Sequence, residues 1–128
     1  MGAGMSYLLV AMGGGLGAVA RHGLGQLSVR AFGPGFPVGT LAANVLGGLL
    51  MGLLAGWLAG MDGGRNLRLL LGVGLLGGFT TFSAFSLDAV LMMERGDWGM
   101  AALYIGGSVI LSILALALGL MIARGLFA

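Results

Sequence analysis

The stretch GGFTTFSAFS, residues 77–86, lies in the middle of a hydrophobic segment that is long enough to cross a membrane. Its adjacent glycines, its two threonines and its alternating aromatic and hydroxyl side chains disfavour a continuous helix. Inside a bilayer, a helix break persists only where the freed backbone groups find partners or line a cavity. The stretch therefore predicts a helix broken at the membrane midplane, beside an ion or solute pathway.

The composition of the whole chain is that of a multi-pass membrane protein. Hydrophobic residues make up 59% of 128 residues, charged residues make up 8%, and the mean hydropathy is +1.08. Four charge-poor segments can each supply the roughly 20 residues that cross a hydrocarbon core. We expect one all-α domain over residues 1–128, embedded in the lipid bilayer. Its four helices are predicted at 4–28, 37–60, 67–93 with a break near 77–82, and 98–123.

Composition also excludes several function classes. The chain has no cysteine, which excludes disulfides and thiolate metal sites. Its six arginines are scattered and form no clustered basic face, so we expect no nucleic acid partner. No nucleophile and base are combined as catalysis requires, so we expect no enzyme. Ala18-Val19-Ala20 resembles a signal-peptide cleavage site, but no basic residue precedes Arg21, and we expect the first helix to be retained.

Glycines recur at every fourth position from Gly48 to Gly60 in the second predicted helix, and at Gly13 and Gly17 in the first. Small residues with this spacing let helix backbones approach closely, so we expect a tight bundle.

The arginines give almost no bias between the two sides of the membrane. Three fall on one side and two or three on the other, whereas orientation normally follows a clear Lys/Arg excess. This balance predicts insertion in both orientations and an antiparallel dual-topology homodimer. The alternative is that a single arginine decides the topology.

Two kinds of group beside the predicted break can contact a small anion. Phe82 and Phe85 share a face of the half-helix after the break, where their positive ring edges can face an anion; ordinary apolar packing is the alternative. Asn44 is the only amide of the second helix, and either bonds a neighbouring helix or donates to an anion.

The fourth predicted helix carries a stripe of hydroxyl groups at Tyr104, Ser108 and Ser112, spaced four residues apart. Single serines often bond back to their own backbone, but three aligned hydroxyls suggest a polar track. A pathway that is lined by hydrogen-bond donors and lacks a ring of carboxylates favours anion conduction. In an antiparallel dimer, the carbonyl groups of two breaks meet on the two-fold axis and form an oxygen cage for a monovalent cation.

The chain resembles the Fluc fluoride channels over essentially its whole length. The matching motifs are GGLGAVAR at 14–21, GTLAANVLGG at 39–48 and GGFTTFSAFS at 77–86. The resemblance implies a fluoride-selective channel in the bacterial cytoplasmic (inner) membrane, formed by an antiparallel dual-topology homodimer with two pores. Cytoplasmic fluoride would leave through it passively, which relieves fluoride toxicity.

The resemblance also implies roles for individual residues. The backbone carbonyls of Gly77 and Thr80 are expected to hold a structural Na⁺ at the dimer centre, which is not transported. The residues expected to line the fluoride pores are Asn44, Thr81, Phe82, Ser83, Phe85, Tyr104, Ser108 and Ser112.

The sequence leaves the roles of two charged residues open. Asp88 is the one acid deep in a hydrophobic segment, and it either contributes to the pore or pairs with an arginine. Arg21 either forms an anion-concentrating vestibule or extends to the membrane surface.

Two other functions compete with the channel. One is a small proton-coupled exporter of drugs or other cations, with Asp88 as its acid. The other is a non-transporting scaffold held together by the glycine grooves, which gives no reason for a polar break.

Overall fold

The computed structural model describes residues 2–127 as helices joined by short connections. Four helical spans are long and apolar enough to cross a membrane, which confirms the predicted all-α architecture with four spans. Three of them are uninterrupted helices: α1 (Ala3–Phe32), α2 (Val38–Leu58) and α6 (Trp98–Phe127).

The third span, Arg65–Glu94, changes its helical type along its length. It begins with α3 (Arg65–Leu67), continues as a π-helical stretch over Arg68–Leu76, here called the π segment, and then as α4 (Gly77–Phe79). After three non-helical residues it resumes as α5 (Ser83–Glu94). Gly77 and Gly78 are therefore helical, although the sequence analysis placed both inside the break.

Close packing explains why Gly78 lies in a helix. A methyl group on Gly78 would overlap the carbonyl oxygen of Gly14 in α1, and one on Gly74 would lie 3.1 Å from Gly13 Cα. Gly78 thus allows two helix backbones to approach closely, while the break itself falls at residues 80–82.

The predicted glycine grooves join the helices in two pairs. α1 packs along the π segment and α4, where methyl groups on Gly13 and Gly17 would overlap the carbonyl oxygens of Leu70 and Leu75. α2 packs along α6 through Gly48, Gly52 and Gly56. The expectation of tight packing at glycine is confirmed for these positions. It is wrong for Gly60, which lies beyond the end of α2 with no atom within 4 Å of an added methyl group.

The buried core lies where α5 meets α6. It consists of Phe85, Ala89, Met92, Ala101 and Tyr104. Most large apolar side chains of the other helix faces are exposed, which gives a surface suited to lipid or to another protein chain. The break therefore lies at one end of the core, beside α2 and α6.

Replacing Gly52 by alanine should destabilise the fold, because the added methyl group overlaps the carbonyl oxygen of Leu116 and the helices must separate. Overpacking of this kind costs about 1–3 kcal/mol. The measurement is the thermal unfolding midpoint of the purified protein in detergent micelles.

Gly15→Ala is the matched control, since no atom lies within 4 Å of a methyl group there. Alanine favours a helix over glycine, so this variant should be neutral or more stable. Equal midpoints for the two variants would contradict the close contact of α2 with α6.

Candidate functional site

One side chain from α2 satisfies both backbone groups of Thr81 at the break. The Thr81 N–H donates to Asn44 Oδ1 at 2.8 Å, and Asn44 Nδ2 donates to the Thr81 carbonyl oxygen at 3.0 Å. Of the two roles left open for Asn44, the structure shows the interhelical hydrogen bond. An amide nitrogen carries two hydrogens, so one donor of Asn44 remains after these bonds.

The hydroxyl groups around the break bond to nearby backbone. Thr80 Oγ1 donates to the Leu76 carbonyl oxygen at 2.9 Å. Thr81 Oγ1 accepts the Ala84 N–H at 3.1 Å and thereby caps the start of α5. Ser83 Oγ lies 3.3 Å from Thr81 Oγ1, on the exposed side. These hydroxyls thus stabilise the two helix ends that the break creates.

Two carbonyl oxygens at the break keep their lone pairs free. Because the Thr81 N–H bonds to Asn44, it does not donate to Gly77 as a continuing helix would require. Within residues 2–127, no hydrogen bond reaches the carbonyl oxygens of Gly77 and Thr80. Free carbonyl oxygens are suitable ligands for a hard cation, so these two residues fit the predicted sodium site.

The aromatic side chains form a continuous row of rings. The ring centroids of Phe82 and Phe85 are 5.6 Å apart, and those of Phe85 and Tyr104 are 5.2 Å apart. Phe36 meets Tyr104 edge to face at 5.5 Å. Phe85 is only 8% exposed, whereas Phe82 is 77% exposed. One phenylalanine of the predicted pair therefore belongs to the core, and the other faces outward.

A groove of about 580 Å³ lies between α2, the break and α6. It brings together six of the predicted pore residues and both predicted carbonyl ligands. These are Asn44, Gly77, Thr80, Thr81, Phe82, Phe85, Ser108 and Ser112.

Two hydroxyl groups in this groove have no partner. The Oγ atoms of Ser108 and Ser112 are buried, and within the described part of the chain neither makes a hydrogen bond. A buried polar group without a partner costs about 1–3 kcal/mol, so its persistence calls for a ligand or water. The groove thus offers donors to a small polar or anionic species.

Two predicted pore residues do not line this groove. Tyr104 is 1% exposed, and its hydroxyl donates to Asp88 Oδ2 at 3.1 Å. Ser83 is exposed next to Thr81. Asp88 is also absent from the lining, and it pairs with a tyrosine where the sequence analysis considered an arginine.

Arg21 extends toward the break from α1. Its Nε donates to the Gly78 carbonyl oxygen at 3.4 Å, near the C-terminal end of α4, where a cation interacts favourably with the helix dipole. The residue also lines a separate cavity of about 390 Å³ with His22, Gln26 and Thr40.

Sequence reasoning missed the apolar wall of the groove. It did not identify Gly47, where a methyl group would overlap Thr80 Cγ2, or Met51, Val109, Ile113 and Leu116. Of these residues, only Gly47 could have been identified from the sequence, since it lies one turn after Asn44 and next to the glycine repeat.

The chain is similar to proteins of one family along almost its entire length. Residues 8–120 match the family described as CrcB-like protein, Camphor Resistance (CrcB). A protein of Novosphingobium aromaticivorans named fluoride-specific ion channel FluC is 59% identical over 118 residues, covering 91% of this chain and 94% of the relative. A protein of the same name from Phenylobacterium zucineum is 59% identical over 125 residues, covering 96% and 98%. Another, from Caulobacter vibrioides, is 52% identical over 123 residues, covering 94% and 97%.

Replacing Asn44 by alanine should destabilise the protein, because it leaves the N–H and carbonyl groups of Thr81 without partners. Each such buried group costs about 1–3 kcal/mol. The thermal midpoint in detergent should fall, and the Thr81 amide should exchange its hydrogen faster.

Asn66→Ala, in the exposed α3 turn, is the control and should leave both quantities unchanged. An Asn44→Ala variant with unaltered midpoint and exchange would show that Asn44 does not hold the break.

Proposed function

The chain belongs to the CrcB-like family, and we propose that it is a fluoride-specific ion channel. Its four apolar spans make it a multi-pass membrane protein. Relatives in this family are named as ion channels, which are not enzymes, so the expectation of a protein without catalysis is confirmed. The observation that carries the proposal is the pair of buried, unpartnered hydroxyls of Ser108 and Ser112 in the groove.

The groove suits a small anion that must lose its water shell. Ser108 and Ser112 offer O–H donors, and Asn44 keeps one free N–H. The outward-facing Phe82 adds a positive ring edge. Fixed donors in a narrow path replace hydration better for an anion that fits them than for a larger one, which favours fluoride over chloride.

A second copy of the chain in the opposite orientation would complete the pore. Phe82 is 77% exposed in the single chain, and the groove is open along one side. An antiparallel partner would cover this apolar face and supply the missing wall, giving two pores for each dimer. The nearly even distribution of arginines supports dual topology.

The free carbonyl oxygens of Gly77 and Thr80 support a structural sodium ion between the two copies. Two oxygens from each copy would meet on the two-fold axis. When bound, the cation would neutralise the converging carbonyl dipoles and hold the two breaks together, without being transported.

The direction of transport follows from the chemistry of fluoride. Hydrogen fluoride crosses membranes as a neutral weak acid and ionises in the cytoplasm, where the anion is trapped. In the bacterial inner membrane, a negative interior assists anion efflux by about 2.3 kcal/mol per charge per 100 mV. Passive efflux therefore relieves fluoride toxicity without an energy source.

The exporter alternative lacks support. Its acid, Asp88, does not line the groove and accepts a hydrogen bond from the buried Tyr104. The relatives are named for fluoride and not for cationic drugs.

Replacing both Ser108 and Ser112 by alanine should slow fluoride release about tenfold, a barrier increase of about 1.4 kcal/mol, because the anion loses two donors. The thermal midpoint should stay the same or rise, since two unpartnered buried hydroxyls are removed. Fluoride release from proteoliposomes is followed with a fluoride electrode, beside chloride release.

Ser6→Ala, on the exposed first turn of α1, is the control and should release fluoride like the parent. The channel proposal would be refuted if proteoliposomes with folded parent protein released fluoride no faster than empty liposomes. An unchanged rate in the double variant would exclude the two hydroxyls from the pathway.

Replacing Asp88 by asparagine should preserve fluoride release, because the amide oxygen still accepts the Tyr104 hydroxyl and the residue lies outside the groove. The same variant tests the exporter, which requires a titrating acid. Proton-driven uptake of a cationic dye by the parent, abolished in Asp88→Asn, would favour the exporter.

A further inference from the structure

A second groove continues from the first toward one end of the bundle. It has a volume of about 730 Å³ and lies between α2 and the third span. Met51 and Gly77 line both grooves, so these two residues form the boundary between them. Gly77 has no side chain, and Met51 is therefore the bulky group at this boundary.

The far end of the second groove is basic. Arg65 and Arg68 line it, and both are exposed. In residues 2–127 the one salt bridge joins Arg95 to Asp97, so neither Arg65 nor Arg68 forms a salt bridge with a carboxylate. Unpaired cations at the mouth of a cleft raise the local concentration of anions within about 10 Å at ordinary ionic strength.

Met51 reaches across the space between two helices. Its Sδ would lie 3.9 Å from a β-carbon placed on Gly72 of the π segment, so the thioether extends from α2 toward that segment. Met51 follows Asn44 by seven residues, which places it two turns, or about 10 Å, farther along α2. The donors of the first groove and the arginines of the second thus lie on opposite sides of this side chain.

We propose that Met51 is a hydrophobic constriction between a basic antechamber, formed by Arg65 and Arg68, and the donor groove at Asn44, Ser108 and Ser112. The inference rests on the proposed channel function and adds the route by which the anion reaches the donors. A thioether gives an anion no hydrogen bond, and an apolar constriction opposes passage by losing its water. Its flexible chain can change rotamer without any movement of the helices.

The constriction adds a barrier to the path, while the donors beyond it lower the cost of dehydration and set selectivity. An anion collected at Arg65 and Arg68 must shed water to pass Met51 and regains partners only at the hydroxyl and amide groups. Replacing Met51 by a smaller side chain should therefore speed fluoride release, and adding bulk or charge there should slow it.

The natural absence of cysteine allows a direct test of this position. In the Met51→Cys variant, the new thiol is the only one in the chain. Proteoliposomes with this variant are treated with the water-soluble anionic reagent sulfonatoethyl methanethiosulfonate. Labelling is measured by mass spectrometry, and fluoride release is measured before and after. We expect labelling and a fall in fluoride release of about tenfold or more, since a bulky anion then fills the constriction.

Met12→Cys is the matched control. Met12 lies on α1, is 54% exposed and lines neither groove. The same reagent should leave its fluoride release unchanged. As a second measurement, Arg65→Gln combined with Arg68→Gln should slow release at low salt, and the difference from the parent should vanish at high salt.

Each outcome separates the two proposals. A thiol at position 51 that stays unlabelled in folded protein means that lipid or a partner subunit fills the second groove, and overturns the constriction. Labelling without a change in fluoride release also overturns it, while the channel stands. No fluoride release from the parent refutes the channel itself, and the constriction with it.

Discussion

The pairing of Asn44 with Thr81 is the interaction on which the rest of the site depends. A bilayer offers no water to a broken helix, so the freed N–H and carbonyl groups need partners from the protein. Both groups of Thr81 find one amide on α2. Because the Thr81 N–H donates to Asn44 instead of to Gly77, the helix ends and the Gly77 carbonyl oxygen stays free.

Much of the fold could be predicted from the sequence, because hydropathy alone determines which segments fit a membrane. The glycines were harder to interpret, since glycine both weakens a helix and permits close packing. Gly78 illustrates the second effect: it lies in α4 where that helix packs on α1, and the break begins at Thr80. The π segment has no sequence signature that we can identify.

Site residues could be predicted where the type of side chain indicates its chemical role. They could not be predicted where tertiary packing determines which way the side chain faces. The even spacing of Tyr104, Ser108 and Ser112 suggested one polar track, yet the large ring of Tyr104 packs against Phe85 in the core, and its hydroxyl bonds to Asp88. The sequence could not decide between the two roles of Asn44, because its hydrogen-bond partner lies 37 residues away in the chain. Met51 could not be identified, since an apolar side chain in an apolar helix carries no functional signal.

The arrangement also explains how a membrane protein can contain an acid and still admit an anion. Asp88 lies outside the lining of the donor groove and accepts a hydrogen bond from the Tyr104 hydroxyl. The Thr80 hydroxyl donates to the Leu76 carbonyl oxygen, and the Thr81 hydroxyl accepts the Ala84 N–H and lies beside the Ser83 hydroxyl. The groove offers a ligand one N–H of Asn44 and the unpartnered hydroxyls of Ser108 and Ser112. An ion beside these side chains therefore meets hydrogen-bond donors without a facing carboxylate, and such donors favour a small anion.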